Sequence, residues 1–203
     1  MLTLAILAGG SSSRMGQDKA LIPLQGQPLV QRVLDRLSPI AAEVILSANT
    51  PAAFSFLNIA TLPDEEAGQG ALGGLRTVLK AAAYPFVAAV ACDMPFASAK
   101  LFEYELDLIQ KTEADVVIPF SADGLEPLHA VYRCEACLPV IEKTLKAGNY
   151  RMTEWLDEVN VQIVPLKVGS QFDPGGWAFW NLNTREEFAE AKKEIARRER
   201  EKR

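Results

Sequence analysis

No stretch of this 203-residue chain approaches the roughly 18 consecutive apolar residues that a membrane-spanning helix needs. The N-terminal Met1-Leu2-Thr3-Leu4 has neither the basic n-region nor the small-residue cleavage site of a secretory signal. The expectation is a cytoplasmic protein. Positive charge is not in excess: the formal net charge is −5, which argues against a nucleic-acid surface. Cysteine is scarce and odd in number (Cys92, Cys134 and Cys137), so a disulfide framework is not expected. Cys134-Glu135-Ala136-Cys137 is formally a C-x-x-C, yet zinc needs more ligands than the remaining cysteine and His129 can add. Ordinary cysteines at a helix start are the plain reading, and a redox pair is the alternative. His129 is the only histidine, and no Ser/His/Asp arrangement is in evidence. In its apolar alternation it reads as a packed strand residue rather than a general base; lining a second substrate's pocket is the other option. With no internal repeat, low-complexity tract or Gly/Ser linker, the chain reads as one domain spanning residues 1–203.

Polar chemistry is concentrated at the start. Leu2, Leu4, Ala5, Ile6 and Leu7 read as a short buried strand, followed by Ala8-Gly9-Gly10-Ser11-Ser12-Ser13-Arg14-Met15-Gly16-Gln17-Asp18-Lys19. Glycines let a backbone approach a ligand closely, and Arg14 and Lys19 add two cations along a polyphosphate. The loop therefore suits a nucleoside triphosphate. It is not a Walker A loop, because five residues separate Gly10 from Gly16 and Gln17-Asp18 follows. Nor does it have the Gly-x-Gly-x-x-Gly of a dinucleotide fingerprint.

Beyond the loop, strand and helix patterns alternate. Val30, Val33, Leu34 and Leu37 form a helical stripe within Pro28 to Leu37; Leu72, Leu75, Val78 and Leu79 form another. Phe86 to Ala91 is a near-continuous apolar run, as in a central parallel strand covered on both faces. Further strands are expected over Glu43 to Ala48, Ile59 to Leu62, Asp115 to Pro119, Leu128 to Tyr132 and Val161 to Leu166. Ser98 is placed to cap a helix reaching Lys111, Gly148 to end one begun at Glu135, and Arg151 to Val159 to form a shorter one. Thr184 and Glu187 read as a capping box for the last helix. The basic C-terminus (Lys192, Lys193, Arg197, Arg198, Arg200, Lys202, Arg203) reads as a solvated helix end. The pattern implies an α/β fold of three layers: a mostly parallel twisted sheet with helices on both faces. Ligands of such sheets bind at strand carboxyl ends, and the loops after Leu7, Leu62 and Ala91 all lie there. In the last of them, Asp93 is either a turn aspartate opening the next helix or a carboxylate holding Mg²⁺ against triphosphate oxygens. Beside a phosphate loop the metal role is preferred.

The stretch Leu7 to Lys19 resembles the signature L-A-G-G-x-S-x-R-M-G-x-D-K of the MobA family, the molybdenum cofactor guanylyltransferases. The resemblance continues through Leu24-x-Gly26-x-Pro28-Leu29, Leu62-Pro63-Asp64, Gly73-Gly74-Leu75, Cys92-Asp93-Met94-Pro95-Phe96, Glu126 to Tyr132, and Asn181-Leu182-Asn183-Thr184. It implies a Rossmann-like nucleotidyltransferase that uses Mg²⁺ and transfers GMP from GTP to the phosphate of Mo-molybdopterin. Pyrophosphate leaves, and the molybdopterin guanine dinucleotide cofactor forms. It implies Arg14, Lys19 and Asp93 as catalytic groups, with Asp93 the metal ligand. GTP is expected against Leu7, Ala8, Gly9, Gly10, Lys19, Ser47, Asp64 and Asp93. Asp64 is the candidate guanine reader, since a carboxylate can accept from the guanine ring N–H and amino group. The family has asparagine where this chain has Ser47, and Asn49 stands near enough to compensate. Asn181 and Asn183 either belong to a plain strand-to-helix turn or serve the metal or the pterin. Phe172 to Gly176 reads as a mobile loop over the second substrate. Implied partners are GTP, Mo-molybdopterin and, downstream, molybdenum-insertion proteins or molybdoenzyme chaperones.

Three rival readings remain. Other small-molecule nucleotidyltransferases, for sugar phosphates or isoprenoid precursors, share the implied fold, but their signature loops differ further from Leu7 to Lys19. A related cytidylyltransferase tends to show Leu-Ala-Ala-Gly in place of Leu7-Ala8-Gly9-Gly10 and commonly lacks the aspartate that here precedes Lys19. A non-catalytic nucleotide-binding regulator or cofactor carrier would have no need of Arg14, Lys19 and Asp93 together.

Overall fold

A computed structural model describes residues 1–8 and 18–201 of the chain. In chain order the elements are β1 (Thr3–Leu7), β2 (Pro23–Leu24), β3 (Gln27–Pro28), α1 (Leu29–Leu37), β4 (Glu43–Ser47), β5 (Ala60–Leu62), α2 (Gly70–Ala81) and β6 (Phe86–Ala91). There follow α3 (Ala99–Lys111), β7 (Val116–Ser121), β8 (Gly124–Leu125), β9 (His129–Arg133), α4 (Cys134–Lys146), β10 (Val161–Val164), α5 (Leu166–Gly169) and α6 (Arg185–Glu201).

The main sheet runs β10-β7-β9-β6-β1-β4-β5, with β8 paired to β7, while β2 and β3 form a separate hairpin. β1 pairs in parallel with β4 and β6, β4 with β5, and β10 with β7. β9 is antiparallel to both its neighbours, so β6 and β7 on either side of it share one direction. The result is the mostly parallel sheet expected, with β9 reversed inside it and the short β8 antiparallel to β7 at its margin. The direction of β9 is not encoded in the apolar alternation of residues 128–132, which reads the same either way.

Successive strand residues face opposite sides, and both sides are dry. Leu4 and Ile6 of β1, Ala88 and Val90 of β6, and Val131 of β9 pack with Val30, Val33 and Leu37 of α1 and Leu101, Phe102 and Ile109 of α3. Ala5 and Leu7, Val87 and Ala89, and Ala130 and Tyr132 pack on the other face with Leu72, Leu75 and Val78 of α2 and Ile141 and Leu145 of α4. Every residue of β1 and β6 is buried, which explains the apolar runs Leu4 to Leu7 and Phe86 to Ala91; the buried Thr3 hydroxyl is satisfied by donating to Glu43 Oε2 at 2.6 Å.

The helix ends follow local chemistry. The Ser98 hydroxyl accepts from Leu101 N at 3.3 Å at the start of α3. At the end of α4, Gly148 takes φ +78, its N–H reaches Leu145 O at 3.0 Å, and Asn149 N reaches Thr144 O at 3.2 Å. That paired closure is a Schellman motif, which needs a left-handed residue and so favours glycine. The expected helix over Arg151 to Val159 is replaced by turns and a 3₁₀ segment at Leu156–Glu158. Leu156 N bonds Thr153 O and Glu158 N bonds Trp155 O, the tighter i→i+3 spacing. Over so few residues, such turns still bury Trp155 and Leu156, so the apolar spacing could not distinguish them from a helix. Among the described residues no helix is long and apolar enough to cross a membrane.

Candidate active site

The carboxyl ends of β1, β4, β5 and β6 lie along one edge, in a register that sets Leu7 beside both Ser47 and Ala91, and Ser47 beside Leu62. Backbone bonds continue the ladder past the strand ends: Ala8 N to Ser47 O at 2.8 Å, Cys92 N to Leu7 O at 3.1 Å, and Ala48 N to Leu62 O at 2.9 Å. The three polar loops singled out in the sequence are thus fixed next to one another. Gly9, Gly10 and Arg14 lie outside the described residues; Leu7 and Ala8 stand at the foot of their loop.

Lys19 opens a 3₁₀ turn, Lys19–Leu21, capped by Asp18, whose carboxylate accepts from Ala20 N at 3.0 Å. The Lys19 ammonium donates to Asp93 Oδ2 and, at 2.6 Å, to Asn183 Oδ1. Three loops far apart in sequence therefore meet at one charged point. Asn183 is oriented by its own amide: Nδ2 donates to Asn181 O at 3.3 Å, so Oδ1 faces the lysine. Asn181 does not join that point; its Nδ2 donates to Phe179 O at 3.2 Å. The backbone closes the arrangement, with Leu182 N donating to Asp93 O at 3.0 Å. The capping box is present: Glu187 accepts from Asn183 N and Thr184 N, and Glu187 N donates to Thr184 Oγ1 at 3.2 Å.

A small separate core explains why these loops hold together. Leu24 and Leu29 from the hairpin side, Phe96 from the Asp93 loop, Leu182 beside Asn183, and Phe188 and Ala191 of α6 form one buried cluster. Trp180 stacks on Phe96 with ring centroids 5.9 Å apart, and the Arg198 guanidinium lies 4.9 Å from the Phe96 ring. The basic end of α6 is thus partly engaged rather than wholly solvated; Glu194 also binds Arg197 and Arg198 at 2.7 Å, while Lys202 and Arg203 lie outside the described residues.

A second polar group sits on the far side of β1. Asp64 accepts from Ser47 Oγ at 2.9 Å and from Asn49 Nδ2 at 3.3 Å, and Asp64 N donates to Asn49 Oδ1 at 3.0 Å. Ser47 and Asn49 both hold the carboxylate. Close packing of α2 shapes this corner: a Cβ on Gly74 would come 2.8 Å from Ser47 Oγ.

Past Asn181 the same edge opens into a cavity of about 570 Å³, with Ser121, Asp123, Asp173, Phe179, Trp180 and Asn181 in its wall. Asp173 to Gly176 of the glycine-rich loop singled out in the sequence, and Asn181, line it; Ser121 and Asp123 at the end of β7, which carried no motif, complete it. A slightly larger hollow of about 600 Å³ lies at the opposite edge, by Asp115 and Arg133, away from all these groups. His129 and Glu105, both fully buried, face each other across 3.2 Å under the site. The cysteines are free thiols. Burial pushes Cys134 up to about 11 and raises Cys137 further, so neither is a thiolate near neutrality.

The mostly parallel sheet, with a lysine, a carboxylate and an amide oxygen gathered at its carboxyl edge, is that of a nucleotidyltransferase, as the comparisons with known proteins show. The solved structure of molybdopterin-guanine dinucleotide biosynthesis protein A from Archaeoglobus fulgidus superposes with a TM-score of 0.84 at 25% identity, covering 96% of this chain and 99% of that one. A 4-diphosphocytidyl-2C-methyl-D-erythritol synthase from Anaerococcus prevotii shares the fold, with a TM-score of 0.69 at 16% identity over 97% of this chain and 98% of the other.

Residues 4–161 match the MobA-like NTP transferase domain, and the chain belongs to that family. It is 39% identical over 164 residues to a probable molybdenum cofactor guanylyltransferase of Carboxydothermus hydrogenoformans, covering 80% of this chain and 81% of the relative. It is 33% identical to the molybdenum cofactor guanylyltransferase of Desulfosudis oleivorans, covering 96% of each.

Proposed function

We propose that this enzyme transfers GMP from Mg-GTP to the phosphate of Mo-molybdopterin, releasing pyrophosphate and forming the guanine dinucleotide cofactor. The observation that carries the reading is the meeting of Lys19, Asp93 and Asn183 beside the strand end that leads into the glycine–serine loop. The relatives' names supply the acceptor and the base.

The residues fit a divalent metal. A carboxylate and an amide oxygen converge on one point that already holds a cation, the lysine ammonium, and hard oxygen donors of this kind suit Mg²⁺ completed by phosphate oxygens and water. Asp93 and Asn183 would hold the ion, which supplies charge neutralisation at the triphosphate. Lys19, released from its carboxylate partner, would then face the phosphates. Arg14 is assigned a parallel role from the motif. In-line attack of the acceptor phosphate on the α-phosphorus needs positioning and charge stabilisation rather than a covalent side chain. Asp64, braced by Ser47 and Asn49, is assigned to the guanine N–H groups. The cavity by Phe179 and Trp180 is assigned to the acceptor, because it opens directly beyond Asn181 on the same edge. Three unpaired cysteines agree with a cytoplasmic, reducing setting.

The test is pyrophosphate release with Mo-molybdopterin and Mg²⁺, comparing GTP with CTP, ATP and UTP. Release with GTP that disappears in Asp93→Ala is expected. A preference for CTP would remove Asp64 as the guanine reader, and release from none of them would leave a binding protein.

A further inference from the structure

His129 belongs to no part of the transfer chemistry, yet it lies at a junction. Its ring is fully buried at the start of β9. Ser98 N donates to its Nε2 at 3.1 Å, so that nitrogen bears no proton. Nδ1–H then donates to Glu105 Oε1 of α3 at 3.2 Å. The ring stacks on Phe102 with centroids 3.8 Å apart and planes 3° from parallel, and packs against Phe179 in a T-shaped contact with centroids 5.2 Å apart.

Each contact leads to one side of the metal-binding point. Ser98 ends the loop that begins at Asp93, a loop closed by Met94 N to Ala91 O and Ala97 N to Met94 O. Phe179 begins the other side: its carbonyl holds the Asn181 side chain, and the Asn181 carbonyl holds the Asn183 side chain. The Ser98 hydroxyl also donates to Phe172 O at 3.2 Å, fastening the loop that leads into Phe179. One imidazole thus braces the Asp93 loop through a hydrogen bond and the Asn183 segment through ring contact.

We propose that His129, locked as the neutral Nδ1–H tautomer, is a positioning residue that sets the gap between Asp93 and Asn183 and so the affinity of the site for its divalent cation. The proposal rests on the assignment of those two residues to the metal. An outer group of this kind orients the ligands without touching the ion, and losing one typically costs about 10–100-fold in metal affinity or activity.

Because the chain has a single histidine, ¹⁵N labelling of histidine alone gives this ring's spectrum in the unaltered protein. One protonated Nδ1 and one unprotonated Nε2 are expected at neutral pH; the Nε2–H tautomer or an imidazolium would overturn the proposal. Mn²⁺ binding in the presence of GTP, read by electron paramagnetic resonance, is then compared across variants of matched thermal stability. His129→Gln can place Oε1 where Nε2 accepts from Ser98, whereas His129→Asn and His129→Phe cannot. Mn²⁺ affinity and kcat should fall about tenfold or more in Asn and Phe, with a smaller change in the KM for GTP, and recover largely in Gln. Phe179→Leu, which keeps the hydrogen bond and loses the ring contact, should show a partial loss. Wild-type affinity in the Asn and Phe variants would overturn the positioning role alone. Failure of the unaltered protein to bind Mn²⁺ with GTP would overturn the metal assignment and this inference with it.

Discussion

Gly74→Ala would separate two roles of the corner between α2 and β4. The new Cβ would lie 2.8 Å from Ser47 Oγ, 3.4 Å from Ser47 Cβ and 3.5 Å from Leu7 Cδ2. Only the first contact is too close, and the hydroxyl involved is the one that holds Asp64 at 2.9 Å. The serine must turn away and abandon Asp64, or the helix must shift. Gly74 lies inside α2, so alanine gains about 1 kcal/mol of helix propensity. Overpacking costs about 1–3 kcal/mol, and the lost hydrogen bond about 1 kcal/mol. The net is a loss of about 1–3 kcal/mol in a urea titration. Adding Ser47→Ala removes the clashing oxygen, leaves ordinary contacts and should restore most of that stability. It cannot restore the bond to Asp64. If Asp64 reads the base, Gly74→Ala, Ser47→Ala and the double variant should all show a KM for GTP raised about tenfold, equivalent to about 1.4 kcal/mol. Stability would be regained only in the double variant. A double variant with wild-type KM, or a destabilised Gly74→Ala that binds GTP normally, would refute the link between this corner and nucleotide recognition.

Lys19→Met should lower kcat far more than it raises the KM for GTP, because charge neutralisation matters most as the phosphate bond breaks; steady-state kinetics giving equal effects on affinity alone would assign Lys19 to ground-state binding. Glu187→Ala removes the acceptor for two backbone N–H groups at the entrance to α6 and should cost about 1 kcal/mol in denaturant melts. Activity should fall further than stability, since the Asn183 amide meets Lys19. The buried pair predicts a distinct pH response. Burial lowers His129 to about 3 from its ordinary 6.5, with Arg36 adding to the effect, and burial raises Glu105 well above its ordinary 4.5. Between pH 4.5 and 6.5 the unfolded chain holds the extra proton on histidine and the folded chain holds it on glutamate, so the two slopes cancel. Below 4.5 the histidine alone acts, and stability falls toward acid down to about pH 3. Above 6.5 the glutamate alone acts, and stability falls with rising pH until Glu105 ionises in the fold. Glu105→Gln abolishes that alkaline arm. The stability difference between Glu105→Gln and wild type should grow by about 1.4 kcal/mol per pH unit above the ordinary glutamate range. A pH-independent difference in urea melts would show that Glu105 is ionised in the folded protein.

How much of this was legible in the chain depends on the range of the interactions involved. Features written within one turn could be read directly: the Ser98 cap, the Gly148 closure, and the Thr184–Glu187 box all satisfy donors or acceptors a few residues away. The edge itself was readable one step further out. Parallel strands place their carboxyl ends together, so the loops after Leu7, Leu62 and Ala91 had to converge. What separates Asn183 from Asn181 was not readable, because two asparagines two residues apart in the same turn differ only in what faces them, and that is Lys19, 164 residues away along the chain. The same holds for His129. Its alternation with apolar neighbours says that it is packed, and it is; its partners at Ser98 and Glu105 stand 31 and 24 residues away. Neither partner forms a motif with it. The third core makes the point physically. Phe96, Leu182 and Phe188 are individually unremarkable apolar residues, but their packing is what holds the Asp93 loop, the Asn183 turn and α6 in one place. A motif names the groups that do chemistry. Their spacing in three dimensions is set by side chains that carry no chemical signature, so it emerges only once the fold brings those side chains together.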